Sequence, residues 1–167
     1  MRKKMIGALV LAVIAAAAIT QTDVLAQAPA NPADTVKTRQ DVMESLYPKY
    51  YRSFVQVARG ESTNIAAIPE TARAASADVR KIPSLFPPGT GRESGLKTRA
   101  KPEIWSQRAD FEATAAKLAE ETDKLGQIAA RGNLDEVKAQ VAVVGQACAG
   151  CHGGPVKSGG KFRFEAE

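Results

Sequence analysis

The sequence has 167 residues, of which 44% are hydrophobic, 5% are aromatic and 25% are charged. A chain of this length builds one domain with a modest core. The formal net charge of +5 is not gathered into a cluster of lysine and arginine interleaved with aromatic residues, which argues against nucleic-acid binding. Because the chain has no glycine-rich phosphate loop, no distinctive carboxylate pair and no serine nucleophile motif, we do not predict an enzyme acting on an organic substrate.

The amino terminus has the features of a secretory signal peptide. Three basic residues at positions 2–4 precede an apolar run at positions 6–19, and a small-x-small cleavage site ends at Ala26. The run is shorter than the ~20 apolar residues that a membrane-spanning helix needs. We therefore expect cleavage after Ala26, a periplasmic protein and no membrane span in the mature chain, with an uncleaved anchor as the alternative. Loss of residues 1–26 would lower the net charge to +3.

The mature chain is predicted to begin with a flexible leader at residues 27–33, followed by a single domain at residues 34–167. A first helix is expected from Asp34, as its N-cap, to the stop at Gly60. Its apolar positions recur at helical spacing: Val36, Met43, Leu46, Tyr50, Phe54 and Val57. Pro48 lies inside this helix and cannot donate a backbone hydrogen bond, which predicts a kink there.

Three further apolar stripes follow at helical spacing. The second helix carries Ile65, Ile68, Ala72, Ala75, Val79 and Ile82, and the third carries Phe111, Ala115, Leu118, Thr122, Leu125 and Ile128. Between them, residues 86–101 contain too many glycines and prolines for regular structure. Asn133 and Glu136 predict the start of a fourth helix, whose stripe is Leu134, Val137, Val141, Val144, Cys148 and Cys151. This pattern predicts an all-α, antiparallel four-helix bundle with a cofactor bound among facing side chains.

The fourth helix ends in Cys148-Ala149-Gly150-Cys151-His152, which contains the only two cysteines and the only histidine of the chain. On a helix, these three side chains share one face. Two thiols at this spacing can bond the vinyl groups of a haem while the imidazole binds its iron. The motif therefore predicts one covalently attached haem c, with Cys148 and Cys151 as thioether links and His152 as an axial iron ligand.

The same motif could also be a thiol-disulfide redox site or part of a zinc site. A thiol-disulfide redox site usually opens a helix in a strand-helix-strand setting, and no strand-rich segment precedes Cys148. A structural zinc site generally needs four protein ligands, and the chain has no second cysteine or histidine cluster. In an oxidising compartment the two cysteines would pair unless another bond used them, and thioether bonds to haem would do so.

Further motifs accompany this one. They are Arg39-Gln40-x-x-Met43, Leu85-Phe86-Pro87-Pro88-Gly89-Thr90, Ala100-Lys101-Pro102-Glu103-Ile104-Trp105-Ser106, and Phe111. With them, residues 34–152 closely resemble the class II cytochromes c, which comprise cytochrome c′ and its six-coordinate, low-spin relatives. The resemblance implies a periplasmic haem c protein, often a homodimer packed through its first two helices. It also implies that Arg39 and Gln40 lie beside a haem propionate.

The sequence departs from this family after His152. Cytochrome c′ proteins commonly place an aromatic-arginine pair three and four residues after the histidine, with the arginine on the proximal side of the haem. Pro155 and Val156 occupy those positions here. Arg163 could reach the proximal side only if the tail looped back, so the family's role for that arginine is not transferred to it.

The sixth iron position separates the functional hypotheses. Met1 and Met5 leave with the signal peptide, so Met43 is the only thioether available, and the resemblance puts it on the distal side. We expect Met43 to bind the iron as its sixth ligand, which would make the protein a carrier of single electrons between periplasmic redox partner proteins. The alternative, with Met43 as a packing residue, is a five-coordinate protein that binds or scavenges nitric oxide or carbon monoxide. A bundle that only stores or presents haem is the third hypothesis.

Overall fold

A computed structural model describes residues 31–154 and 159–165, so the predicted signal peptide and most of the predicted leader lie outside the described residues. The α-helices are α1 Pro32–Leu46, α2 Arg52–Ala58, α3 Ile68–Arg80, α4 Glu103–Ser106, α5 Arg108–Ala129 and α6 Leu134–His152. A π-helical segment joins α1 to α2, and short 3-10 helices lie at Ile65–Ala67, Ile82–Leu85 and Arg92–Ser94. The protein is the expected four-helix bundle, formed by α1 with α2, α3, α5 and α6.

The first helix starts earlier than the sequence suggested. Asn31 is its N-cap, because the Asn31 side chain accepts a hydrogen bond of 3.0 Å from the backbone N–H of Ala33. Pro32 takes the first helical position, where a missing N–H costs nothing. The prediction of Asp34 as the N-cap was therefore wrong. Asp34 lies in the first turn instead, where a carboxylate interacts favourably with the helix dipole.

The disruption expected at Pro48 takes the form of the π-helical segment Tyr47–Tyr51. Since Pro48 has no N–H to donate, the regular hydrogen-bond ladder is interrupted at this point. The ladder resumes after a change of register, and the N–H of Arg52 donates to the carbonyl of Tyr47. The helix therefore continues to Ala58 and stops before Gly60, which has a φ of +73°.

The fourth helix begins as the sequence predicted. The Asn133 side chain accepts hydrogen bonds from the N–H groups of Asp135 at 3.1 Å and Glu136 at 3.2 Å. Gly132, with a φ of +75°, lets the chain turn between α5 and α6. The short connection makes α5 and α6 antiparallel neighbours. The carboxyl end of α6 therefore lies beside the amino-terminal part of α5.

The core has two parts along the bundle. The larger part lies between α2, α3, α5 and α6 and comprises Tyr50, Phe54, Val57, Ile68, Ala72, Ala75, Leu125, Ile128, Ala129, Val137, Val141 and Val144. The second part lies near the end of α6 and comprises Val79, Ile82, Phe86, Ala100, Ile104, Phe111, Ala119 and Phe162. Met43, Leu46 and Cys151 pack against this second part from its margin. The carboxyl end of α6 therefore meets an apolar environment at one end of the molecule.

Candidate haem site

The last turns of α6 carry the three predicted attachment residues. Cys148, Cys151 and His152 are each half-buried, and both cysteines are free thiols in the structure. The helix ends immediately after His152, because Gly153 adopts a φ of +72° and its N–H donates to the carbonyl of Ala149 at 2.7 Å. The three side chains therefore lie on the last two turns of one helix, beside the second part of the core.

The surroundings favour the neutral forms of all three groups. Burial raises the pKa of the Cys148 thiol, and burial together with Cys148 raises the pKa of Cys151 to about 11. Burial, followed by the positive charges of Arg163 and Arg99, lowers the pKa of His152. A redox-active cysteine needs an environment that favours the thiolate, so this burial argues against a thiol-disulfide redox site. A neutral imidazole keeps a lone pair for iron.

This donor set fits a covalently attached haem. Two half-buried cysteines and a half-buried histidine stand at the required spacing, and the nearby apolar surface includes Met43, Leu46 and Phe111. The haem macrocycle is flat and mostly apolar, so it needs apolar side chains around it. Across residues 31–154 and 159–165, no group of three or more His, Cys, Asp or Glu side chains is arranged to hold a metal ion by itself.

Arg39 is a buried part of this end of the molecule, at 2% exposure. Its guanidinium donates to Thr90 Oγ1 at 2.8 Å, to the Thr90 carbonyl at 2.6 Å and to Thr98 Oγ1 at 2.7 Å. It also lies 4.7 Å from the centroid of the Phe86 ring. Burial lowers the pKa of Arg39. The predicted role beside a haem propionate stays a prediction, while the structure shows that Arg39 ties α1 to the loop after Phe86.

Gln40, the second residue expected near a propionate, is exposed on α1. Its side-chain amide donates to the carbonyl of Lys97 at 3.0 Å. Arg39 and Gln40 therefore contact the same loop from neighbouring positions. The predicted place of Gln40 beside a haem propionate stays a prediction.

The carboxyl-terminal tail, residues 159–165, contributes Phe162 to this end of the molecule, which the sequence did not predict. Phe162 is 2% exposed, and its ring centroid lies 5.3 Å from that of Phe111 in an edge-on arrangement. The N–H of Phe162 donates to the carbonyl of Cys151 at 3.2 Å, and the Phe162 carbonyl accepts from Lys101 N–H at 3.1 Å. The tail therefore loops back onto the haem motif. The paired glycines 159–160 and the alternation Phe162-Arg163-Phe164 were the available signals for this.

Comparisons with known proteins agree with this arrangement. The family model for cytochrome c′ matches residues 34–154. A cytochrome c′ from Rubrivivax gelatinosus is 34% identical over 122 residues, which cover 72% of this chain and 92% of that protein. None of the helices in the described part of the chain is both long and apolar enough to cross a membrane.

Solved structures give the same result for the fold. The crystal structure of the Rubrivivax gelatinosus protein superimposes with a TM-score of 0.65 at 30% sequence identity and covers 80% of this chain and 98% of its own. A nitric oxide complex of a cytochrome c′ variant from Alcaligenes xylosoxidans superimposes with a TM-score of 0.67 at 26% identity and covers 81% and 98% of the two chains.

Proposed function

Because this chain belongs to the cytochrome c′ family, whose proteins carry a covalently attached haem c, we propose that it binds small neutral gases such as nitric oxide or carbon monoxide at a five-coordinate haem. In this proposal, His152 is the single protein ligand of the iron. Cys148 and Cys151 hold the haem through thioether bonds. The observation that carries the attachment is the placement of Cys148, Cys151 and His152, all half-buried, together at the end of α6.

Each residue of this set has a separate task. When bound, the haem supplies an iron that can take up a gas and can exchange one electron. The two cysteines fix the macrocycle to α6, while burial of His152 keeps the imidazole neutral and directed from the same helix. The apolar side chains of Phe86, Ile104 and Phe111 exclude water near the attachment helix.

The family match favours gas binding over the electron carrier predicted from the sequence, and these two functions differ in the role of Met43. Met43 is half-buried at the margin of the second part of the core. We propose that Met43 packs over the distal side without bonding the iron, in keeping with the family match and with the structural similarity to a nitric oxide complex. The electron carrier with Met43 as sixth ligand is the second candidate, because Met43 is the only methionine among the described residues.

The absorption spectrum of the purified holoprotein tests the coordination. We expect a high-spin ferric spectrum and, after reduction with dithionite, rapid binding of carbon monoxide. A low-spin ferric spectrum with a weak near-infrared sulfur-to-iron band would instead assign Met43 as the sixth ligand and support the electron carrier.

Mass spectrometry under denaturing conditions tests the attachment. We expect the wild-type chain to retain the mass of one haem and the Cys148→Ala/Cys151→Ala variant to lack it. We also expect a low yield of this variant, because the haem buries much of the apolar surface at that end of the bundle. A wild-type chain at its bare peptide mass, after maturation in a host that attaches haem c, would contradict the proposal.

The proposed location is the periplasm, after cleavage of the signal peptide following Ala26. We propose residues 27–33 as a leader and residues 34–167 as the haem domain. Amino-terminal sequencing of the exported protein tests the cleavage site, and analytical ultracentrifugation distinguishes a monomer from a homodimer.

A further inference from the structure

The loop before α4 concentrates several positive charges that no carboxylate balances. Many cations on the helices lie within 4 Å of a carboxylate oxygen, as in Lys37–Asp41, Arg80–Asp123 and Arg108–Glu112. The loop carries four basic residues, which we call the basic face: Arg92, Lys97, Arg99 and Lys101. None of these four forms an ion pair with any residue in the described part of the chain.

The basic face lies beside the proposed haem attachment. The Arg99 carbonyl accepts a hydrogen bond of 2.9 Å from Phe164 N–H, and Lys101 N–H donates to the Phe162 carbonyl at 3.1 Å. The N–H of Phe162 in turn donates to the carbonyl of Cys151 at 3.2 Å. Short backbone bridges therefore connect the basic face to the haem motif.

Two of the four cations are held in place and two are free to contact another molecule. The Arg92 side chain donates to the Thr98 carbonyl at 2.9 Å and lies 4.1 Å from the centroid of the Phe164 ring. Lys101 lies 5.5 Å from the same ring centroid. The side chains of Lys97 and Arg99 are exposed and make no hydrogen bond or ion pair within residues 31–154 and 159–165.

The carboxylate side chains of the protein near this loop do not cancel its positive charge. Glu93 is the one acidic residue among residues 91–102, and its Oε1 accepts from the N–H of Gly91 at 3.0 Å. Glu103 is half-buried at the start of α4, and Glu165 is exposed in the tail. Unpaired charges of one sign at an exposed edge create a field that attracts partners of the opposite sign and speeds their association.

We propose that the basic face, Arg92, Lys97, Arg99 and Lys101, is the docking surface for the acidic face of a one-electron donor protein. In this role the basic face would hold the donor while the donor gives up one electron to the ferric haem iron that His152 would bind, with no bond or proton transferred. This inference rests on the proposed haem site, and it identifies the side from which the site is reduced. The unpaired positive charge of the basic face, which is linked to Cys151 through the backbone hydrogen bonds of the tail, supports an acidic partner.

Reduction by small inorganic complexes tests the surface in the holoprotein. Stopped-flow rates would be measured with the anion Fe(EDTA)²⁻ and with the cation Ru(NH₃)₆²⁺ over a range of ionic strength. We expect the anion's rate to fall as salt is added, and the Lys97→Glu/Arg99→Glu variant to be reduced about tenfold more slowly by the anion at low salt. For the cation, the variant should not be slower than the wild type.

The matched control is Arg52→Glu/Lys124→Glu. Both residues are exposed, neither has a carboxylate partner among the described residues, and the change in net charge is the same. We expect the control to alter the anion's rate by less than about twofold, because its charges are on other faces. Equal effects of the two variants, or no effect of either, would overturn the proposal.

A second measurement does not depend on electron transfer. In the reduced, carbon monoxide-bound protein, whose low-spin ferrous haem is diamagnetic, the paramagnetic anion hexacyanochromate(III) should broaden the backbone NMR signals of residues 97–101 in the wild type and should broaden them much less in Lys97→Glu/Arg99→Glu. Broadening spread evenly over the surface would contradict a docking site. So would binding to phosphatidylglycerol vesicles that only Lys97→Glu/Arg99→Glu abolishes, because it would assign the basic face to a membrane. Carbon monoxide binding after dithionite reduction reports separately on the proposed gas function.

Discussion

Arg39 donates a hydrogen bond of 2.7 Å to Thr98 Oγ1, and both residues are buried although 59 positions separate them in the chain. The same guanidinium bonds both the hydroxyl and the carbonyl of Thr90. The Arg39 side chain of α1 therefore holds the loop that carries the basic face at two residues, Thr90 and Thr98. Burial of such a charge costs free energy unless hydrogen-bond partners replace the lost water.

Replacement of Arg39 should destabilise this end of the bundle. We expect Arg39→Met, which keeps much of the side-chain volume, to lower the free energy of unfolding by about 3 kcal/mol, since two threonines lose a charged partner. Arg39→Lys should lose part of that amount, because an ammonium cannot reproduce the planar set of donors. Urea unfolding followed by circular dichroism measures both. A change below about 0.5 kcal/mol in Arg39→Met would show that the loop is held by other contacts.

The bundle was predictable because its information is local. Apolar residues at helical spacing and the Asn133 cap are visible within short windows of sequence, and the haem motif contains every cysteine and histidine. These signals gave the four helices and placed Cys148, Cys151 and His152 together on the end of one of them.

The parts that escaped prediction depend on distant residues. The partners of Arg39 come from a loop whose path is set by glycine and proline conformations, which periodicity does not reveal. The packing of the tail against the haem motif likewise depends on the contact between Phe162 and Phe111, which lie far apart in the sequence. Pro48 predicted a disruption, but the sequence did not indicate that the helix would continue through it as the π-helical segment Tyr47–Tyr51.

Stability should depend on pH through Asp78. Its carboxylate accepts hydrogen bonds from Tyr50 at 2.5 Å, from Lys81 at 2.9 Å and from Lys49 at 3.0 Å, and these bonds hold the pKa of Asp78 well below its usual range. A carboxyl with a lowered folded-state pKa stabilises the protein above its unfolded pKa of about 4 and loses that contribution as the pH falls further. We therefore expect the free energy of unfolding to fall below about pH 4.

The variant Asp78→Asn isolates this effect. At pH 7 it should lower the free energy of unfolding by about 1 kcal/mol, and the decline on acidification should be shallower than in the wild type. Asp41→Asn is the control, because Asp41 pairs with Lys37 at an exposed position where an ion pair contributes little. Parallel pH profiles for the wild type and Asp78→Asn would contradict the assignment.

The docking of the tail should depend on Gly160. A Cβ atom there would lie 2.5 Å from the carbonyl oxygen of Cys151 and would also overlap the backbone N of Gly153. We expect Gly160→Ala to detach the tail and to speed amide hydrogen exchange at Phe162 and Phe164 by about tenfold or more. In the control Gly154→Ala, the new Cβ would meet only Ala149 Cβ at 3.8 Å, so exchange should be unchanged. Unaltered protection in Gly160→Ala would refute this prediction.

Substitution of Met43 should separate packing from ligation. If Met43 only packs at the margin of the apolar cluster, Met43→Leu keeps the ferric spectrum high-spin, because no iron bond is lost and the side-chain volume is conserved. Met43→Ala should also stay high-spin but bind carbon monoxide faster, since a smaller side chain opens the distal side, and it should lower the free energy of unfolding by about 2 kcal/mol. A conversion from low to high spin in both variants would instead make Met43 an iron ligand and the protein an electron carrier.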